Sequence, residues 1–138
     1  MAAETTLVLV KPDGVRRGLA GDVVGRLERK GYELRGARLI RITKSLAREH
    51  YAEHKGKPFY AGLVDFITSG PVLALAVSGE SAVSVVRTMM GATNPLDSAP
   101  GTIRGDLALE LSENIVHGSD SKASARRELA LFFPHGLV

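Results

Sequence analysis

Residues 72–78 (VLALAVS) form an unbroken apolar run entered through Gly70-Pro71. A run of this kind, with no polar alternation, reads as a buried central strand. The rest of the chain must therefore cover it, which excludes any fold that leaves this segment at a wet surface. At this length it falls far short of a bilayer span.

The neighbouring segments supply the cover. Residues 5–10 (TTLVLV) read as a second strand, cut off by the turn Lys11-Pro12-Asp13-Gly14. Leu19, Val23, Val24 and Leu27 share one helical face, with Arg29 and Lys30 in the last turn and Gly31 as the stop. The apolar even positions Tyr32, Leu34, Ile40 and Ile42 have strand spacing, which Arg38 interrupts. Ser45 is expected to cap a short polar helix running through His54. Pro58 is expected to open another, with Phe59, Leu63, Val64 and Ile67 on its apolar face, closed by Gly70-Pro71.

Beyond the central strand, Ala82, Val85, Val86, Met89 and Met90 make a helical stripe that stops at Gly91. Residues 91–106 (GATNPLDSAPGTIRGD) then form a loop long enough to be functional or mobile. A weak apolar stretch, the segment around His117 and a helix from about Ser121 to Phe132 complete the chain. This order of strands and helices implies a mixed sandwich with helices packed on a sheet. No repeat or linker interrupts it, and 138 residues suit a single domain, 1–138.

With no cysteine, disulfides and thiolate metal sites are excluded, and the cytoplasm is the expected compartment. No basic segment leads into a cleavable apolar stretch, so neither a signal peptide nor a membrane role is expected. The net charge is +3, with Arg16, Arg17, Arg26, Arg29, Lys30, Arg35, Arg38 and Arg41 crowded into the first third. Such residues are either solvated faces or an attraction for polyanions, nucleotides and nucleic acid alike; charge alone does not separate these.

Neither a P-loop nor a dinucleotide-binding glycine fingerprint is present, so a nucleotide enzyme of this sequence binds phosphate by other means. His50-Tyr-Ala-Glu53-His54 matches the inverted zincin pattern by letter. That pattern needs a third ligand and a cleft, and the alternative is a surface helix with ordinary histidines. The segment Asn114-Ile-Val-His-Gly-Ser-Asp-Ser121 is richer in chemistry. A histidine is a competent nucleophile when one ring nitrogen is free and the other is held. Gly118 would let a ligand approach the backbone, and Asp120 or Ser121 can cap the next helix. On that helix Ser121, Ala125, Glu128 and Phe132 share a face, so Glu128 is an acid on an apolar side and needs a partner. His117 can be that partner. Taken alone, these residues equally allow a histidine that merely ends a loop.

The stretch Asn-x-x-His-Gly-Ser-Asp resembles the active-site signature of the nucleoside diphosphate kinase family. The likeness extends over essentially the whole chain, through residues 7–14 (LVLVKPDG), Ser69-Gly-Pro71, Asn94-Pro95 and residues 100–106 (PGTIRGD). It implies an α+β fold, a ferredoxin-like sandwich in which helices cover an antiparallel four-stranded sheet. It implies transfer of the γ-phosphoryl of a nucleoside triphosphate to a nucleoside diphosphate, by ping-pong kinetics through a phosphohistidine on His117. Carried over by position, Glu128 and Ser119 hold His117, and Lys11 contacts ribose and phosphates. Arg87 and Arg104 clamp phosphate, Tyr51, His54 and Thr93 make further phosphate-side contacts, Asn114 meets the sugar, and Phe59 stacks on the base.

Stacking tolerates every base, so broad base specificity is expected. With no carboxylate cage in view, Mg2+ is expected to arrive on the nucleotide phosphates. The family is oligomeric, and the Pro95 loop resembles that of its hexameric members, with a tetramer as the alternative. A regulatory module with a silent site is the rival reading, but every matched position keeps its functional residue. Nucleic-acid binding is left open and is not indicated. The chain departs from many relatives at Leu131-Phe132-Phe133-Pro134, where they carry tryptophan or tyrosine; packing is expected to adjust.

Overall fold

The computed structural model describes residues 3–138. Its sheet has four strands, β1 (Ala3–Val10), β2 (Glu33–Arg41), β3 (Pro71–Glu80) and β4 (Val116–Gly118), in the order β2-β3-β1-β4. Every neighbouring pair is antiparallel. Helices α1 (Pro12–Arg16) and α2 (Ala20–Lys30) join β1 to β2, and α3 (Lys44–His50) and α4 (Tyr60–Ile67) join β2 to β3. Helices α5 (Ala82–Met90) and α6 (Ile103–Leu107) lead to β4, and α7 (Lys122–Phe132) follows it. This is the ferredoxin-like α+β sandwich that the resemblance implied.

The apolar runs are buried on both sides, as the unbroken residues 72–78 require. Alternate side chains of a strand face opposite ways, so β1 sends Val8 and Val10 to one face and Leu7 and Leu9 to the other, none more than 1% exposed. The first pair joins Leu75 and Val77 of β3 against Val23 and Leu27 of α2 and Val86 and Met90 of α5. The second joins Ala74 and Ala76 against Ala47 of α3, Ile67 of α4 and Phe132 of α7. Each fully buried leucine or valine contributes about 1.5–3 kcal/mol.

Most helix limits match the sequence reading. Gly31 ends α2 with φ 110, a left-handed conformation that costs glycine little. Ser121, rather than Asp120, caps α7 by accepting from the Ser124 amide at 3.0 Å. One cap differs: Thr43, not Ser45, accepts from the Leu46 amide at 3.1 Å, so α3 starts two residues earlier than expected. The helix also stops at His50, and a separate 3-10 turn carries Ala52–His54. Residues 91–106 are ordered by local caps: Asn94 accepts from the Leu96 amide, and Thr102 from that of Gly105.

Arg38, the residue that broke the strand spacing, donates to the Phe132 carbonyl at 2.6 Å. A cation there meets the negative end of α7 and ties β2 to it. Nearby, β2 shifts register between Leu34 and Gly36, and a Cβ on Gly36 would lie 2.8 Å from the Phe133 ring. Phe132 and Phe133 are both buried. No helix of the described residues is long and apolar enough to cross a membrane.

Phe132 has no exposed surface and joins α7 to the face of the sheet that carries Leu9. Phe132→Ala should cost about 3–5 kcal/mol. Urea unfolding at fixed chain concentration checks this.

Candidate active site

Strand β4 is short, but its register decides where His117 points. His117 lies opposite Leu9, so its side chain shares the face covered by α3 and α7. Helix α7 turns the same apolar face inward, and Glu128 rides on it between Ala125 and Phe132, only 5% exposed. The two meet. His117 Nε2 lies 3.0 Å from Glu128 Oε1, which also accepts the Ser119 hydroxyl at 2.7 Å. Burial pushes the Glu128 carboxyl towards protonation, but the His117 hydrogen bond and charge and the Ser119 hydroxyl outweigh it. The net effect lowers the pKa from 4.5 to about 2. Glu128 is therefore a carboxylate at neutral pH, so the ring nitrogen facing it carries a hydrogen. Nδ1 has no hydrogen-bond partner among the described residues.

His50 is the largest correction to the sequence reading, which left it on a surface helix. It is 3% exposed, with its ring edge-on to His117 at 4.7 Å and to Phe132 at 5.3 Å between centroids. Neither ring nitrogen has a partner among the described residues. Burial first and the neighbouring His117 second lower its pKa to about 3, so it stays neutral. The inverted zincin pattern does not assemble, because the helix ends between its two histidines and His54 sits in the following 3-10 turn. Instead, His50, His117 and Glu128 bring ligand-type atoms within 4.8 Å of one another. That space is taken up by the His117–Glu128 hydrogen bond and the packed rings.

In front of His117 opens a cavity of about 1400 Å³. Lys11, Tyr51, His54, Phe59, Arg87, Thr93, Arg104 and Asn114 all line it, so the structure brings together every nucleotide contact expected from the sequence. Ser119 and Glu128 stand behind His117. Lys11, at the junction of β1 and α1, bonds through Nζ to Asn114 Oδ1 and sits 5.8 Å from the centre of the Phe66 ring. Burial lowers its pKa to about 8; Asp13 opposes that shift and Arg104 adds to it.

The two arginines also serve as framework. Buried Arg104 donates to the carbonyls of Asn114 at 3.2 Å, Gly91 at 3.0 Å and Val116 at 2.7 Å. Burial and then Arg87 lower its pKa to about 10, which keeps it charged at neutral pH. Arg87 donates to the Gly118 carbonyl at 3.0 Å. Asn114, expected at the sugar, also donates to the Thr93 carbonyl at 2.8 Å and thereby links Lys11 to the long loop.

Tyr51 has its pKa raised to about 12, by burial first and Glu128 second, and keeps its phenolic hydrogen as a donor. Phe59 is 51% exposed at the cavity wall, with its ring 5.4 Å from that of His54. Gly118 lines the cavity, and a Cβ there would also fall 2.5 Å from Met90 Cε of α5. Sequence reasoning also passed over Leu111, an exposed leucine of the weak apolar stretch that lines the cavity with Phe59.

A family model described as nucleoside diphosphate kinase matches residues 4–138. The chain belongs to the nucleoside diphosphate kinase family. It is 60% identical over 130 residues to a nucleoside diphosphate kinase of Rubrobacter xylanophilus, covering 94% of this chain and 98% of that one. An Archaeoglobus fulgidus relative of the same name is 58% identical, over 94% of this chain and 86% of its own. Among solved structures, a halophilic nucleoside diphosphate kinase of Halobacterium salinarum in complex with CDP superposes with a TM-score of 0.96. It is 54% identical, over 99% of this chain and 92% of that chain. A nucleoside diphosphate kinase is a phosphotransferase between nucleotides, working by ping-pong through a phosphohistidine.

The Glu128 shift has a definite sign in acid. Its folded-state pKa lies below its unfolded value, so the stability it contributes is complete above about 4.5 and is lost as pH falls towards about 2. The stability difference between the wild type and Glu128→Gln should shrink across that window in urea unfolding.

Proposed function

We propose that His117 accepts the γ-phosphoryl group on Nδ1 and passes it to a second nucleoside diphosphate bound in the same cavity. The observation that carries this reading is the 3.0 Å bond from His117 Nε2 to the Glu128 carboxylate, which leaves Nδ1 as the free nitrogen. In the first step Nδ1 forms a bond to the γ-phosphorus while the bond to the bridging oxygen breaks, and the diphosphate leaves. In the second, a terminal oxygen of another diphosphate takes the phosphoryl from Nδ1. As the ring gains positive character in either direction, the Glu128 carboxylate stabilises it through the hydrogen on Nε2. Ser119 acts one step further back, by holding the carboxylate.

Lys11, Arg87 and Arg104 supply the positive field for phosphates, which suits a reaction that depends mainly on positioning and charge stabilisation. Each charge-assisted hydrogen bond to phosphate contributes about 1.5–3 kcal/mol. Tyr51, His54 and Thr93 complete the phosphate end, Asn114 meets the sugar and Phe59 stacks on the base. Stacking contributes about 1–3 kcal/mol for any base, so broad base specificity follows.

A divalent cation, Mg2+ in our reading, neutralises phosphate charge when bound. The donor set supports its arrival on the nucleotide: Glu128, behind His117, is occupied by His117 and Ser119, and the acids lining the cavity are Glu110 and Glu113. Residues 1–138 act as one catalytic domain, in the cytoplasm where nucleotides circulate. For self-association we favour a hexamer, with a tetramer as the alternative. Support comes from Leu39, 66% exposed on edge strand β2, and Leu96, 74% exposed beside Pro95.

With Mg2+ and ATP but no acceptor, intact mass should show one acid-labile phosphoryl per chain, removed by GDP and absent in His117→Ala. No adduct on the wild-type chain would refute the assignment. Because Lys11 loses its charge as pH rises through about 8, kcat/KM should fall over that range. Lys11→Arg should lack that step in its pH profile.

A further inference from the structure

Ile115 adopts φ 72, one of two positive values among the described non-glycine residues, and is fully buried. A β-branched side chain is strained in that conformation. The strain has a visible product. The Val116 amide donates back to the Asn114 carbonyl at 2.8 Å, so residues 114–116 close a γ-turn about Ile115. Asn114 lies on one side of this turn and Val116 and His117 on the other. The carbonyls of Asn114 and Val116 are also two of the three that hold Arg104.

Helix α1 grips the turn from behind. Asp13 Oδ2 accepts from the Ile115 amide at 3.0 Å, and the Lys11 amide donates to the Ile115 carbonyl at 2.8 Å. At Gly14 a Cβ would lie 2.8 Å from Val10 Cγ1, 3.0 Å from Ile115 Cγ2 and 3.2 Å from its carbonyl oxygen, so a side chain there would push against the turn. Asp13 is 2% exposed, and its second oxygen has no partner among the described residues. A half-satisfied buried carboxylate is a poor device for stability alone. Neither Asp13 nor Ile115 lines the nucleotide cavity.

We infer that Asp13 is a positioning residue for phosphoryl transfer, its carboxylate holding the γ-turn at Ile115 so that Asn114, Arg104 and His117 keep their mutual placement. It acts through the backbone and touches no substrate. The inference rests on His117 being the phosphate acceptor.

The test is a double-mutant cycle read by the rate of His117 phosphorylation at saturating ATP and Mg2+ in single turnover. Asp13→Ala should slow that step at least ten-fold in chains that remain folded, whereas Asp13→Asn, which retains an acceptor for the Ile115 amide, should recover most of the rate. Glycine adopts positive φ freely, so in an Ile115→Gly background the same Asp13→Ala change should cost far less. Should Asp13→Ala fold poorly, Asp13→Leu fills the buried volume without an acceptor and carries the same comparison. A lower melting temperature with an unchanged rate, or an equal loss in both backgrounds, would overturn the clamp. A wild-type chain that takes no phosphate would overturn both the clamp and the assignment of His117. Normal wild-type labelling with unaffected Asp13 variants would overturn the clamp alone.

Discussion

A carboxylate buried inside a protein must be answered by hydrogen bonds or charge, and in this chain that demand falls on Glu128. Its position on α7 is set by the apolar residues around it, since Ala125 and Phe132 turn the helix so that the acid faces the sheet. The answer comes from the ring of His117 on β4 and from the hydroxyl of Ser119 just beyond it. Breaking a buried pair of this kind leaves a charge without compensation, so the register of β4 and the rotation of α7 are locked to each other. The same contact that fixes the packing of the last helix thus fixes which ring nitrogen faces the cavity.

The cationic side chains of the cavity raise a related problem, because like charges gathered in one place repel one another. Lys11, Arg87 and Arg104 are held together by neutral acceptors rather than by acids: Asn114 Oδ1 and the carbonyls of Gly91, Asn114, Val116 and Gly118. Carbonyl oxygens orient the guanidinium groups without cancelling their charge, as the proposed phosphate contacts require. Lys11 shows the consequence most clearly, since burial has brought its pKa down to about 8. In the proposed reaction an incoming phosphate adds a charge partner in direct hydrogen-bond contact.

The elements of the fold were legible wherever burial is one-sided or complete. Residues 72–78, the stripe from Ala82 to Met90 and the stop at Gly31 all followed from apolar spacing and punctuation. Ends set by competition between adjacent hydroxyls were less so: Thr43 took the cap assigned to Ser45, and α3 ended before His54. At the site, local chemistry marked His117 and Glu128, and the family resemblance supplied the partners across the chain. His50, Asp13 and Ile115 stayed hidden for a physical reason. Their meaning depends on what a distant element places beside them: His117 against His50, and the Ile115 amide against Asp13. No pattern local to residues 50 or 13 carries that information.

His50 shows how such a hidden neighbour bears on the chemistry. It packs edge-on against the ring of His117, yet leaves both of its own nitrogens unbonded. A charged imidazole in that place would oppose positive character on His117, but burial keeps His50 neutral. It therefore walls one side of His117 with a polarisable ring and leaves Glu128 as the only acid bonded to it among the described residues. The histidine is fixed from one side by the Glu128 bond and from another by packing, and this is the geometry on which the proposed transfer at Nδ1 depends.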